Sequence, residues 1–130
     1  MKDIKFRAWD NTNKRMSAVA GLHFFNGGID INVFADEDEW AEEPDLILMQ
    51  YTGLKDKNGK EIYDGDIVNF KSYRKTANIG EVVYIDSLAS FAVKYWLVLD
   101  YLHELFSVHL YKDSLEVIGN IYENSELVNG

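Results

Sequence analysis

Asn58-Gly59, set between Lys57 and Lys60, is the strongest short hairpin signal in this chain. Both residues accept positive φ cheaply, which is what a tight antiparallel turn demands. Similar punctuation recurs at Asp10-Asn-Thr-Asn13, Asn26-Gly27-Gly28 and Asp64-Gly65-Asp66, all clusters of turn-forming residues. Between these points lie short runs of alternating apolar residues. Ile4, Phe6 and Ala8 alternate with Lys5, Arg7 and Trp9, and Met16 to Ala20 fits a return strand. Leu22 to Phe25 leads into the Asn26 turn, with Ile29, Ile31 and Val33 on its far side, and Ile47, Met49 and Tyr51 form a later strand. A chain cut this often is expected to be mainly β and antiparallel, with helices at most short.

The second half extends the pattern. Ile62-Tyr63 is a short return strand, Ile67 to Phe70 follows the Asp64 turn, and Gly80 to Ile85 follows a polar loop from Lys71 to Asn78. A strand entered through Gly-Asp-Ile-Val, then a polar loop and a second strand, resembles the opening of SH3-like barrels. Phe91 to Tyr95 would continue such a barrel and Leu115 to Ile121 would close it. Between Trp96 and Leu110 the periodicity is mixed, favouring a short helix around Asp100–Leu105 and a strand after it. The expected organisation is one domain over residues 1–130. It comprises an N-terminal β unit with an acidic segment (1–45), an SH3-like β barrel (46–123) and a polar tail (124–130).

Composition bounds the chemistry. Apolar residues make up 47% of the chain, including 7 Phe, 8 Tyr and 3 Trp, enough bulk for an independent core. There are no cysteines, which excludes disulfides, thiolate metal sites and cysteine nucleophiles. The opening Met-Lys-Asp-Ile-Lys-Phe-Arg places charges where a signal peptide needs an apolar core. The longest apolar region, Phe91 to Leu110, is broken by Lys94, Asp100 and Glu104. A cytoplasmic protein without a membrane partner is the expectation.

Formal net charge is −9, unevenly spread. Residues 36–45 hold seven acids and no base, and residues 80–130 hold two bases against eight acids. Asp36 and Glu39 have the spacing of a capping box, compatible with one helical turn before Pro44. Such a field repels phosphate, so nucleic acid is an unfavoured partner. The exception is Lys71-Ser-Tyr-Arg-Lys75, where Lys71, Arg74 and Lys75 surround Tyr73, with Lys55, Lys57 and Lys60 earlier in sequence. Cations around a stacking ring suit single strands.

Several chemical motifs fail by a residue or two. Gly53 to Lys60 has five residues between its glycines and Glu61 after the lysine, where a phosphate loop needs four and a hydroxyl. His103-Glu104 has Ser107 where a zinc helix needs its second histidine, and His109 stands at the wrong offset. Asp56 and Asn58 run directly into Gly59, leaving a calcium loop short of a ligand. His23, His103 and His109 lie among apolar neighbours, and Asp64 and Asp66 suit turn backbone better than acid–base work. No catalytic residue, metal site or cofactor is expected.

The stretch LMQYTGLKDKNGKEIYDGDIVNF from Leu48 to Phe70, with KFRAWD near the start and LEVIGNIYENSEL near the end, resembles the YopX family of small phage- and prophage-encoded proteins. The resemblance implies a phage or prophage origin and a mainly β fold, and it supplies no catalytic residues to carry over. The leading expectation is therefore a non-enzymatic protein acting through contacts with a host or phage protein, and as a homo-oligomer. Trp40, Trp96, Tyr101 and Phe106 are the contact candidates, because they lie in segments too irregular for all to reach one small core. The alternatives are a nucleic-acid-associated regulator using Lys71, Tyr73, Arg74 and Lys75, and a DNA mimic using the acidic segment against a host protein.

Overall fold

The fold is seen in a computed structural model that describes residues 3–36, 39–42, 45–71, 77–96, 103–107 and 113–129. The described elements are mostly antiparallel strands, as the alternation predicts. They fall into two compact units, Asp3–Gln50 and Tyr51–Gly130.

The first unit is built on β1 (Phe6–Asp10), β2 (Arg15–Phe25), β3 (Gly28–Asp36), β4 (Glu39–Glu42) and the first part of β5 (Leu46–Lys55). Hydrogen bonding runs in the order β4-β3-β2-β1-β5. Flanked by strands on both sides, β1 buries the consecutive residues Ala8, Trp9 and Asp10. Ile4, expected in this strand, precedes it and is exposed. Asp10 makes the turn that follows: Thr12 and Asn13 donate their backbone N–H groups to its Oδ1, each at 3.0 Å, and Asn13 Nδ2 donates to Oδ2 at 2.8 Å. The two runs Met16–Ala20 and Leu22–Phe25 are one strand, broken in register between Val19 and Gly21. The helical turn expected from Asp36 and Glu39 is replaced by β4, which pairs with β3 through Val33↔Ala41 and Phe34↔Trp40.

In the second unit the end of β5 pairs with β6 (Glu61–Tyr63). An open sheet is ordered β10-β9-β8-β7-β11, from β7 (Asp66–Lys71), β8 (Ala77–Ile85), β9 (Ser90–Trp96), β10 (His103–Ser107) and β11 (Glu116–Asn120). Ile62, Val68, Phe70, Val82, Val93 and Leu115 form its core, with Leu54, Phe91, Tyr95 and Val117 packed against them. The expected SH3-like barrel is not closed. β11 does not seal a cylinder; it lines one margin of the sheet against β7, and β10 lines the other. The helix expected around Asp100–Leu105 is also corrected, since His103–Leu105 belong to β10, paired with Lys94–Trp96. Residues 100–102 lie outside the described residues.

Helical structure reaches into the stretch 124–130, expected as a polar tail. Asn120 Oδ1 accepts the N–H groups of Tyr122 and Glu123, and a single helical turn, α1 (Glu126–Asn129), follows. Among the described residues, no helix is long and apolar enough to cross a membrane.

Candidate functional site

The Leu48–Phe70 stretch forms most of β5 and β7, all of β6, and the two turns that join them. Asp56 organises the first turn, 7% exposed. Its Oδ1 accepts the N–H groups of Asn58 (2.8 Å) and Lys60 (2.9 Å), and its Oδ2 accepts the N–H of Val117 in β11 (2.9 Å). Burial pushes this carboxyl upward, but the three backbone donors and the nearby Lys60 charge outweigh it and hold the group below its ordinary 3.8. The turn closes through Gly59 N–H to Asp56 O at 3.0 Å. Only Gly59 is left-handed, at φ +84°, so the expected pair of left-handed residues at Asn58-Gly59 is reduced to one. Lys57 completes the attachment, its N–H donating to Leu115 O at 2.9 Å and its Nζ lying 3.8 Å from Glu116.

The second turn works alike. Asp66, 1% exposed, accepts the N–H of Tyr63 at 2.8 Å, while Gly65 donates to Val82 O and its own carbonyl accepts from Ile121. These buried carboxylates face backbone donors, so their oxygens are committed to holding the chain. A carboxylate so occupied is a poor proton carrier.

The basic loop yields one described residue. Lys71 ends β7, exposed, with its backbone tied to the Ser114 hydroxyl. Tyr73, Arg74 and Lys75 lie outside the described residues. Of the aromatic candidates, Trp40 stands in β4 opposite Phe34, Trp96 ends β9 opposite His103, and Phe106 stands in β10 opposite Val93. These placements are of backbone alone, and Tyr101 lies outside the described residues.

A different surface draws attention. From Leu22 to Ile31, β2 and β3 pair only with each other among the described residues. β1 reaches no further along β2 than Ala18, and β4 meets β3 from Asn32 onward. The result is a two-stranded ribbon whose eight residues His23–Asp30 are all exposed. Its cross-strand pairs Leu22↔Ile31 and Phe24↔Ile29 share one face, because directly opposed residues in an antiparallel pair point the same way. That face is entirely apolar, with Phe24 69% and Ile29 44% exposed. The other face carries His23 opposite Asp30, and the ring of Phe25 lies over Gly28. The signal was present in the sequence: adjacent phenylalanines in a strand must point to opposite faces, so a hairpin with Phe24-Phe25 cannot hide both in one core.

The family model described as YopX protein matches residues 5–129. No curated protein matches the chain. Among solved structures, protein EF1440 from Enterococcus faecalis is 30% identical, with 98% of this chain and 99% of that chain covered and a TM-score of 0.63. The turns anchored by Asp56 and Asp66 are built from the same residues that carry the resemblance, and with the family model matched over nearly its whole length the chain belongs to the YopX protein family.

Proposed function

We propose that this protein acts without catalysis, through contacts with other protein molecules, in a bacterium whose phage or prophage encodes it. The observation that carries the reading is the Leu22–Ile31 ribbon, which presents Phe24 and Ile29 to solvent on an apolar face. A two-stranded ribbon is marginal in water by itself, and neighbouring exposed apolar side chains on one of its faces give a partner surface to cover. The buried carboxylates Asp10, Asp56 and Asp66 supply no competing chemistry, each being bound to backbone donors.

Affinity capture with the wild-type chain and with Phe24→Asp/Ile29→Asp, followed by reconstitution with the purified captured protein, tests this. Binding that reconstitutes and is lost in the variant is expected. Turnover of a substrate by the purified chain would overturn the reading, as would a partner interaction indifferent to the ribbon.

A further inference from the structure

Resting on that reading, we infer that the occupant of the ribbon's apolar face is a second copy of this chain, packed ribbon to ribbon about a two-fold axis. The first support is charge. The chain carries −9, yet Leu22–Ile31 contains a single charged residue, Asp30, which lies with His23 on the opposite face. A partner drawn by the acidic field would be basic, and this face offers it no anion to pair with. A second copy needs the reverse, a contact zone where two negative bodies bring no like charges together.

Shape is the second support. Phe24 and Ile29 are direct cross-strand partners, so a two-fold axis through the face can set Phe24 of each copy against Ile29 of the other. A large side chain then meets a smaller one twice, as a self-complementary contact requires. From their exposures of 69% and 44%, this pair offers on the order of 200 Å² per copy, taking a fully exposed large apolar side chain as roughly 200 Å². Stable dimers bury about 800 Å² per partner. The association is therefore weak, reversible and visible only at high concentration.

Sedimentation equilibrium of the full chain from about 10 μM to about 1 mM, at low and high NaCl, tests it. A monomer–dimer equilibrium is expected, tightening several-fold as salt rises because the repulsion between like-charged bodies is screened. Phe24→Asp/Ile29→Asp should remain monomeric throughout. Phe24→Ser/Ile29→Ser, which sets no like charges opposite each other, should do so with a melting temperature close to that of the wild type, and amide exchange of Leu22–Phe25 should slow with concentration in the wild type alone. A wild-type monomer at the highest concentration would overturn the inference. So would a dimer that survives in the variant, one that loosens with salt, or slowed exchange of the ribbon only when phosphatidylcholine vesicles are added. If the monomeric wild type still binds a purified partner through the ribbon, the protein-contact reading stands and only the second copy is refuted.

Discussion

Asp56 Oδ2 accepts the backbone N–H of Val117 at 2.9 Å across 61 residues of sequence. This one carboxylate therefore sets both the local turn, through Asn58 and Lys60, and the lateral position of β11. Local turn chemistry and long-range topology meet in a single side chain.

Asparagine is the informative replacement at this position. Its remaining oxygen can still serve Asn58 and Lys60, but its amide would turn a donor toward the Val117 donor. Asp56→Asn is expected to cost about 1–3 kcal/mol, the penalty for leaving a buried N–H unmatched, and Asp56→Ala more, because three donors lose their acceptor. Urea denaturation measures both, and a neutral Asn variant would show that the Val117 contact contributes nothing.

Acid sensitivity follows from the same carboxylate and from Asp10. At Asp10 the Asn13 side chain and N–H are the main influences lowering the carboxyl below 3.8, with Thr12 and Arg15 adding to them against burial. Both groups are depressed in the folded chain, so their stabilisation is fully present above the unfolded value near 3.8 and is lost as pH falls through the lower folded values. Stability should vary little from these groups above about pH 5 and fall steeply below 3.8. Urea midpoints measured down the pH scale should fall less steeply in Asp10→Asn and Asp56→Asn; an equal slope in both would assign the acid loss to other groups.

How far the sequence could be read follows from what is local. The turns at Asp10–Asn13, Asn26–Gly28, Asn58-Gly59 and Asp64–Asp66 are all present, because turn chemistry acts within a few residues. Asn58 departs from the expectation even so: Asp56 Oδ1 takes its N–H, and Gly59 alone is left-handed. The closed barrel is absent for a different reason. Alternation says that Leu115–Ile121 is a strand but not which strand it joins, and its place beside β7 depends on partners some 50 residues away in sequence. His103–Ser107 carries a mixed apolar pattern, which pairing with β9 resolves as strand. The candidate surface was legible in Phe24-Phe25, because alternation within a regular hairpin sends the two rings to opposite faces, a signal that irregular aromatic-rich segments do not carry.

Gly59 gives a direct test of the turn. A side chain there would meet nothing within 4 Å, so the cost of substitution is backbone strain at φ +84° and not a clash. Gly59→Val should lower stability by about 1–2 kcal/mol, while Gly59→Asn, whose side chain tolerates the left-handed region, should cost clearly less. Thermal melts would order the three proteins, and equal melting temperatures would contradict the turn geometry.

Gly80 is constrained by packing. It stands between Val68 of β7 and Tyr95 of β9, and an added Cβ would lie 2.6 Å from Val93 Cγ1 and 2.9 Å from the Lys94 carbonyl oxygen. The same carbon at Gly21 would meet nothing within 4 Å. Gly80→Ala is expected to destabilise by about 1–3 kcal/mol, as overpacking does, and Gly21→Ala by no more than about 0.5 kcal/mol. A reversed order would mean that β8 lies less close to β9 than the pairing indicates.

Two phenylalanines of opposite fate complete the test of which surface is free. Phe70 is 1% exposed and meets Tyr95 edge-on with ring centroids 5.2 Å apart, whereas Phe24 is 69% exposed on the ribbon. Phe70→Ala should cost about 3–5 kcal/mol through lost transfer energy and a cavity. Phe24→Ser should change the stability of the dilute monomer by no more than about 0.5 kcal/mol, because its ring gives up little contact within its own chain. Denaturation at low micromolar concentration separates the two cases. A cost at Phe24 approaching that at Phe70 would mean that the ring is packed against its own chain, leaving no apolar face for a second molecule to cover.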